Sequence, residues 1–296
     1  MRILVLGAGG ALGSAVFRVF SEKNDWEVFG AIRSEELKRL FPTTKIEQLL
    51  VGCDVSNQDD LVNIFDQNKP EVVINCVSLS KPLLNNCNPL EIIPIYALLP
   101  HRLAKLCSLI GARLVHISTD GVFSGSKGQY TEADLPDVCG VYGTSKLLGE
   151  VNYKHAITLR TSIIGPELQS KNGLLEWFLA QHTQCHAFSR VIFSGFPTNV
   201  LAEIIRDVVI PRPKLNGVYH VATPAISKFD LLRLIAKRYG KDIELIPDDK
   251  LVMDRSLDAT LFSKATGYVP PAWPELVDAM HLYHSNFTRT LCSKIK

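Results

Sequence analysis

Apolar and polar stretches alternate through the first half of the chain with the periods of strands and helices. Residues 2–6 form an apolar run that ends at glycines, which predicts a buried strand of a parallel sheet. An amphipathic segment that begins near Leu12 predicts the first helix. The same reasoning predicts strands at 26–32, 71–77, 114–118 and 156–161, and helices at 34–40, 56–65, 100–110 and 142–153. Such alternation predicts an α/β fold with helices on both faces of a parallel sheet.

The rhythm loosens after about residue 165. Helices are predicted at 174–181, 198–209, 227–239 and 273–283, and short strands at 190–194, 217–222 and 243–246. Ser227 with Asp230, and Ser56 with Asp59 earlier in the chain, have the spacing of helix-capping pairs. We expect residues 1–165 to form the sheet domain, with later segments returning to it, and residues 166–296 to form a smaller mixed α/β lobe that binds the substrate.

Glycines separate the first predicted strand from the first helix. Gly7, Gly10 and Gly13 fall in this turn, with Gly9 between them. Glycines so placed permit a tight turn, let the backbone approach a pyrophosphate and let the helix pack close to the strand. Since the helix N-terminus also favours an anion, the sequence predicts a dinucleotide site in a doubly wound sheet of the Rossmann type.

Composition and charge exclude several other classes of protein. The chain has 296 residues, is 46% apolar and 21% charged, and carries a net charge of +2, so we expect neither nucleic acid nor a membrane surface as partner. We find no apolar run near 18 residues and no secretion signal, and so predict no transmembrane helix. Seven scattered cysteines indicate reduced thiols in the cytoplasm, and no acidic cluster supports a metal site.

Tyr142 and Lys146 lie four residues apart in a predicted helix, so their side chains share one face. An ammonium beside a phenol favours the phenolate and lowers the phenol pKa from its usual value of about 10. The pair therefore predicts that Tyr142 acts as an acid or base near neutral pH. Because this spacing also occurs in ordinary helices, the pair gains its meaning from the glycine turn in the same chain.

Ser118 and Thr119 lie at the carboxyl end of the predicted strand 114–118, the edge at which parallel sheets bind ligands. A hydroxyl there could donate a hydrogen bond to a carbonyl oxygen while Tyr142 gives that oxygen a proton. Lys146 could hold the ribose hydroxyls of a nicotinamide nucleotide, for which a flexible ammonium is suited better than a planar guanidinium. Together these residues predict hydride transfer from a nicotinamide cofactor to a carbonyl group.

Arg33 and Ser34 follow the second predicted strand, where the ribose of the adenosine half should lie. A cation and a hydroxyl suit a 2′-phosphate, so we expect NADPH; NADH is the alternative, because Glu35 and Glu36 are close by. Asp54 lies where its carboxylate could accept a hydrogen bond from the adenine amino group. A turn aspartate in front of a helix explains the same residue equally well.

Segments spread over nearly the whole chain carry a family resemblance. They are the glycine turn at 7–13, the segments 72–76, 97–104, 118–125, 141–150 and 159–162, and the segment 254–262 with Trp273. In these segments the chain resembles the extended short-chain dehydrogenase/reductases, and among them the dTDP-4-dehydrorhamnose reductase group. The resemblance implies NADPH-dependent reduction of the 4-keto group of an NDP-4-keto-6-deoxyhexose, in the synthesis of cell-surface polysaccharide. The resemblance is also compatible with a homodimer.

The resemblance also implies roles for particular residues. The catalytic residues would be Thr119, Tyr142 and Lys146. The cofactor would be bound by Tyr142 and Lys146 and by residues of the glycine turn and of three strand ends, namely Gly7, Gly10, Ala11, Leu12, Gly13, Arg33, Ser34, Asp54, Val55, Cys76, Val77 and Ser78. The nucleotide sugar would contact Thr119, Asp120, Phe123, Ile163 and Arg255 under the C-terminal lobe.

Three positions depart from the family pattern. Gly121 stands where the rhamnose-synthesising enzymes usually have Tyr, and Ile163 where they usually have Trp. Both aromatic residues face the sugar in the family, so we expect a sugar pocket of different shape. Tyr96 replaces an asparagine that helps to order the active-site backbone and water in the broader family.

Three other functions are compatible with parts of this residue set. A 4,6-dehydratase needs an acid and a base beside the threonine, and Gly121, which follows Asp120, can transfer no proton; this argues against a dehydratase. An epimerase uses the same tyrosine, lysine and hydroxyl and stays an alternative. A non-catalytic regulatory subunit could keep the same fold, although the three chemical residues are intact here.

Overall fold

Strands and helices alternate through the first half of the chain; the computed structural model describes residues 1–79, 88–168 and 172–292. The strands are β1 Arg2–Leu6, β2 Glu27–Ile32, β3 Leu49–Val51, β4 Val72–Asn75, β5 Arg113–Ile117 and β6 Ala156–Arg160. The helices are α1 Ala11–Phe20, α2 Gln58–Asn68, α3 Pro89–Ile110 and α4 Val141–Leu148. Short 3-10 helices lie at Glu35–Leu40, Thr43–Gln48 and Asp120–Val122.

The second half of the chain contains shorter elements. Its strands are β7 Ile163–Ile164, β8 Gln184–Phe188, β9 Val191–Phe193, β10 Phe196–Pro197, β11 Gly217–His220, β12 Ile226–Ser227, β13 Glu244–Asp248 and β14 Met253–Asp254. Its helices are α5 Leu174–Leu179, α6 Thr198–Ile204, α7 Lys228–Tyr239, α8 Thr260–Thr266 and α9 Trp273–Cys292. Apart from β11, these strands form small two- and three-stranded sheets.

Seven parallel strands form the main sheet in the order β11-β6-β5-β4-β1-β2-β3. The order reverses between β1 and β4, and ligands of such sheets bind beyond the carboxyl ends of the strands at this switch point. The predicted doubly wound α/β fold is therefore confirmed. Strand β11 is a later segment that returns to the sheet, while the division of the chain at residue 165 stays a prediction.

Strand β1 explains why helices cover both faces of the sheet. Its side chains alternate: Ile3 and Val5 join one apolar cluster, and Leu4 and Leu6 join a second cluster on the other face. All four side chains are fully buried. Helices α1 and α6 contribute to the first cluster, and helices α2 and α3 to the second. The continuous apolar run is thus the pattern expected of a strand covered on both faces.

Several predicted helix ends are wrong, among them the start of α3, which was predicted at residue 100, and the end of α9, which was predicted at residue 283. Helix α2 is capped by Asn57, whose side chain accepts hydrogen bonds from the amides of Asp59 and Asp60, while the Ser56 hydroxyl donates to Asp54 instead. Helix α4 ends at Leu148, before the predicted end at residue 153, and the next residue, Gly149, lies against helix α3. The predicted Ser227 cap of α7 is confirmed, since its hydroxyl accepts from the amide of Asp230 at 3.0 Å.

Among the described residues, α3 is the one helix whose length and composition would allow it to cross a membrane. Four of its side chains are buried in the second apolar cluster, against the sheet: Leu99, Leu103, Ala104 and Cys107. Gly111 then ends the helix in the left-handed conformation, with φ of 73°. We interpret α3 as a core helix of the sheet domain.

Candidate active site

The glycine turn brings the end of β1 into backbone contact with both α1 and the end of β4. Gly7 has a φ of +77°, and a Cβ atom there would lie 2.8 Å from the carbonyl oxygen of Cys76. A Cβ atom on Gly13 would lie only 2.0 Å from the carbonyl oxygen of Gly7. Glycine is therefore needed at both positions, for the close approaches that the sequence predicted.

The N-terminus of α1 is open to an anion. Gly10 is the N-cap and has no side chain to accept hydrogen bonds from the helix. The helical bonding begins with the Ser14 amide, which donates to Gly10 at 2.9 Å. The amides of Ala11, Leu12 and Gly13 precede that bond, and such amides, together with the helix dipole, favour a bound phosphate. The turn therefore fits the pyrophosphate of a dinucleotide.

Arg33 and Ser34 lie just after β2, and both are exposed. The Ser34 hydroxyl accepts a hydrogen bond from the Glu36 amide and begins the 3-10 helix there. Glu35 is paired with Lys38 at 2.7 Å, so one of the two acids that argued for NADH is already partnered. This local arrangement leaves a cation and a hydroxyl beside the adenosine end of the crevice.

Asp54 serves as a turn residue at the end of β3. Its Oδ1 accepts hydrogen bonds from the Ser56 hydroxyl at 2.7 Å and from the Ser56 amide at 2.9 Å. These two bonds, with a smaller contribution from the Arg33 charge, hold the pKa of Asp54 below its usual value. Asp54 is thus ionised and close to Arg33. Val55, which follows it, is half-buried under the same turn.

The end of β4 forms the wall beside the glycine turn. Cys76 is buried, and burial raises the pKa of its thiol to about 12, so the thiol is neutral. The Val77 amide donates to the side-chain oxygen of Asn75 at 3.2 Å. Ser78 is exposed, and its hydroxyl lies 3.0 Å from the hydroxyl of Tyr96. Cys76 therefore contributes a small apolar side chain to this wall, and its thiol is not ionised.

The structure brings Thr119 and Tyr142 together, and the Thr119 hydroxyl is near enough to the Tyr142 phenol to oppose the rise of its pKa. The Thr119 hydroxyl also accepts from the Gly121 amide at 3.0 Å and lies 3.1 Å from the Asp120 carboxylate, to which it can donate. Lys146, one turn further along α4, is 6% exposed. Its ammonium donates to the carbonyl oxygen of Ile117, at the end of β5, at 2.7 Å.

The prediction that Lys146 lowers the pKa of Tyr142 is wrong for the protein alone. Burial raises the pKa of Tyr142, and the neighbouring Tyr96 adds to the rise, whereas the hydrogen bond with Thr119 and the charge of Arg255 oppose it. Burial also lowers the pKa of Lys146 to about 8. The Lys146 ammonium donates a hydrogen bond to the carbonyl oxygen of Ile117, and it does not lower the pKa of the Tyr142 phenol in this structure.

The hydroxyls of Ser118 and Thr119, which the sequence alone could not tell apart, have different partners in the structure. The Ser118 side chain is buried, and its hydroxyl donates to Glu150 at 2.8 Å. Glu150 in turn forms a buried ion pair with Arg160 at 2.7 Å. Ser118 therefore helps to join α4 to β6, and Thr119 alone faces Tyr142.

Asp120 and Arg255 lie near the hydroxyls of Thr119 and Tyr142, on the sugar side, so named because the sugar is expected to bind there; Ile163 begins β7. Burial raises the pKa of Asp120, and the nearby charge of Arg255 opposes that rise. Arg255 is half-buried and also contributes to the electrostatics of Tyr142. Ile163 is 39% exposed. Ser162, which the sequence reasoning missed, lies near enough to Asp120 to oppose the rise of its pKa; the only signal for it was its place in the segment 159–162.

The expectation that Phe123 contacts the sugar is wrong, because its side chain is fully buried. Its ring stacks on Tyr130 with centroids 4.1 Å apart, and the guanidinium of Arg160 lies 5.3 Å from the ring centroid. Phe123 therefore belongs to the small apolar cluster below the site. Its place in a matched segment gave no information on the direction of its side chain.

Gly121 is buried directly beside the side chains of Thr119 and Tyr142. A Cβ atom there would lie 3.2 Å from Oγ1 of Thr119 and 3.6 Å from Cε1 of Tyr142. A side chain at this position would thus begin next to the Thr119–Tyr142 pair. A distance of 3.2 Å is tighter than usual for a Cβ atom, so a side chain at position 121 would displace the Thr119 hydroxyl. The different shape of the sugar pocket that the sequence predicts stays a prediction.

The fold and this site together are those of the extended short-chain dehydrogenase/reductases, which are NAD(P)-dependent oxidoreductases. More narrowly, the chain belongs to the family described as RmlD substrate binding domain, whose model matches residues 1–280.

Relatives of two kinds are similar to the chain. Methionine adenosyltransferase 2 subunit beta of Rattus norvegicus is 27% identical over 260 residues, which is 81% of this chain and 72% of that protein. The dTDP-4-dehydrorhamnose reductase of Aggregatibacter actinomycetemcomitans is 24% identical over 310 residues, which is 95% of this chain and 99% of that protein. The crystal structure of dTDP-4-dehydrorhamnose reductase from Bacillus anthracis in complex with NADP is 22% identical, with a TM-score of 0.77 over 95% of this chain and 99% of that one.

Proposed function

We propose that the protein uses NADPH to reduce the 4-keto group of an NDP-4-keto-6-deoxyhexose. The observation that carries the proposal is the closeness of the Thr119 hydroxyl to the Tyr142 side chain, with Lys146 one helical turn away. These residues lie at the carboxyl ends of the strands, the edge that also carries the glycine turn. Similarity to dTDP-4-dehydrorhamnose reductases over almost the whole chain supports this reaction.

Each residue has a definite role in this reaction. Bound NADPH would supply a hydride to the carbonyl carbon of the sugar. Thr119 donates a hydrogen bond to the carbonyl oxygen, and Tyr142 gives the same oxygen a proton as its negative charge develops. Lys146 binds the ribose hydroxyls and, once turned from Ile117, places its positive charge beside the phenolate that remains. The raised pKa of Tyr142 keeps the phenol protonated until that step.

NADPH is favoured over NADH by the groups after β2. Arg33 and Ser34 would bind the 2′-phosphate of the adenosine, while the α1 amides hold the pyrophosphate. The solved Bacillus anthracis reductase has NADP bound, which supports the same preference here. The cysteines described as free thiols fit the reducing cytoplasm; they are Cys53, Cys76, Cys107, Cys139 and Cys185.

Two alternatives keep specific support. The similarity to a methionine adenosyltransferase subunit favours a regulatory subunit that binds a larger enzyme. Such a role requires no turnover, and it predicts co-purification with a partner enzyme and no carbonyl reduction. An epimerase would use the same Thr119, Tyr142 and Lys146, and it predicts a cofactor retained through purification with no net consumption of added NADPH.

The direct test is to offer the purified protein a set of NDP-4-keto-6-deoxyhexoses and to follow the absorbance of NADPH. We expect oxidation of NADPH with at least one of them, at a rate proportional to enzyme concentration. The same assay with Tyr142→Phe controls for contaminating reductases. A set that includes both dTDP and UDP sugars, with no NADPH oxidation by any member, would contradict the proposal.

A further inference from the structure

Tyr96 contacts both members of the Tyr142–Lys146 pair through its ring. It lies in the π-helical turn Pro94–Leu98 of α3 and is 2% exposed. The rings of Tyr96 and Tyr142 meet edge to face, with centroids 5.3 Å apart and an interplanar angle of 85°. Nζ of Lys146 lies 5.2 Å from the centroid of the Tyr96 ring. One side chain thus restrains the phenol and faces the ammonium.

The hydroxyl of Tyr96 reaches in the other direction, to the loop that follows β4. It lies 3.0 Å from the hydroxyl of Ser78 and accepts a hydrogen bond from the Leu79 amide at 2.8 Å. This loop begins at Cys76, whose carbonyl oxygen lies against Gly7 in the glycine turn. Residues 76–79 therefore border the crevice at the switch point between β1 and β4, where the cofactor would lie.

The backbone of Tyr96 is held as closely as its side chain. A Cβ atom on Gly149, just after α4, would lie 1.8 Å from the carbonyl oxygen of Tyr96. The end of α4 therefore rests directly on the π-helical turn, and only glycine fits there. Turns of this kind inside α-helices occur frequently at functional sites.

We propose that Tyr96 is a positioning residue. It fixes the Tyr142–Lys146 pair of α4 relative to residues 76–79 after β4, beside which the cofactor would lie. Its ring holds the Tyr142 phenol and the Lys146 ammonium, and its hydroxyl holds Ser78 and Leu79. The inference has a kinetic half, the effect of Tyr96 on kcat, and a cofactor half, its effect on NADPH binding. Only the kinetic half rests on the proposed reductase function.

The cofactor half is tested by Tyr96→Phe, which removes the hydroxyl and keeps the ring. Loss of its bonds to Ser78 and Leu79 should raise the Kd for NADPH by about three- to tenfold. At saturating NADPH, kcat should stay within about twofold of wild type, since the ring still packs on Tyr142. Tyr153→Phe is the matched control, because its hydroxyl also contacts α3, 3.2 Å from Nδ1 of His101, away from the crevice.

The kinetic half is tested by Tyr96→Leu, which removes the ring. The phenol then loses its edge-to-face partner, and kcat at saturating NADPH should fall by about ten- to a hundredfold. NADPH binding is measured by the fluorescence of the bound nucleotide without any sugar, so it reports on Tyr96 even if no sugar proves to be a substrate. An unchanged Kd for NADPH in Tyr96→Phe overturns the proposal. This result can be obtained even if Tyr96→Leu does not fold. Wild-type kcat in a folded Tyr96→Leu overturns it as well.

Discussion

The cofactor side and the sugar side of the crevice are built in different ways. On the cofactor side, backbone lies against backbone: Gly13 against Gly7, and Gly7 against Cys76. On the sugar side, side chains from distant parts of the chain meet, with Arg255 facing Asp120 and Tyr142. Gly121, which lies against Thr119 and Tyr142, completes that side.

This difference indicates which features each side can change. A backbone contact with no room for a Cβ atom tolerates one residue type, so the cofactor side is tied to the fold itself. The sugar side depends on side chains that project into space, and it can change without moving a strand. We therefore expect variants on the cofactor side to alter stability or cofactor binding, and variants on the sugar side to alter sugar recognition alone.

The largest effect is expected where the two sides meet, at Tyr142. Tyr142→Phe removes the proton donor, and kcat should fall by about a thousandfold or more, while the Kd for NADPH stays within about twofold. Stopped assays with high enzyme concentration measure the residual rate. A variant that turns over like wild type would remove Tyr142 from the mechanism.

Gly13→Ala tests whether the cofactor side is inseparable from the fold. The new methyl group would lie 2.0 Å from the Gly7 carbonyl oxygen, so α1 must move away from β1. Unfolding in urea should show a loss of about 3 kcal/mol in the free energy of unfolding. Gly10→Ala is the control, because its Cβ atom has room at 3.4 Å from the same oxygen and should weaken cofactor binding more than stability. Equal stability of both variants would contradict the steric account.

The buried charge of Lys146 lowers the free energy of unfolding by an amount that depends on pH. Its pKa falls from 10.5 to about 8 on burial, so below the folded pKa the penalty of the buried charge is fully present. As pH rises from about 8 to about 10.5, the folded state alone loses the proton and the penalty disappears. This pKa shift corresponds to a penalty of about 3 kcal/mol, of which the bond to Ile117 offsets about 1 kcal/mol. Lys146→Met should therefore stabilise the cofactor-free protein by about 2 kcal/mol near neutral pH, and by less at higher pH. Urea unfolding across this window checks the trend, and a gain that grows with pH would refute it.

Arg33→Ala tests cofactor selection within the cofactor side. Loss of the cation should raise the KM for NADPH by about tenfold and leave the KM for NADH nearly unchanged. Initial rates with each cofactor at a fixed sugar concentration give both values. Arg39→Ala serves as the control, since it removes an exposed cation from the 3-10 helix after Arg33. If both KM values rise equally, Arg33 does not bind the phosphate.

Gly121→Tyr tests the independence of the sugar side. The Cβ atom of the new side chain would lie 3.2 Å from Oγ1 of Thr119, so the side chain would displace the hydroxyl at which the sugar is expected to bind. The ratio of kcat/KM values for two NDP-4-keto-6-deoxyhexoses should change by about three- to tenfold. The Kd for NADPH should not change. A uniform loss for all sugars with weaker NADPH binding would show that the two sides are coupled.

The sequence predicted the cofactor side better than the sugar side for physical reasons. The run 2–6 and the glycines after it are local signals, because burial on both faces and close approach restrict the residue types directly. The burial of Phe123 and the bonding of Ser118 to Glu150 depend on partners far along the chain, which no local pattern encodes. Strand β8 and helix α8 were missed in the same way: β8 pairs only with the distant β13, and α8 begins without a side-chain cap.

Transfer of deuterium from NADPH labelled at C4 of the nicotinamide tests the central claim most directly. A 4-ketoreductase should place one deuterium on C4 of the sugar, with one NADP⁺ formed for each labelled product, and Tyr142→Phe should form neither. Mass spectrometry of the product and the yield of NADP⁺ measure both quantities. Unlabelled sugar product, or product formed without NADP⁺, would contradict the account.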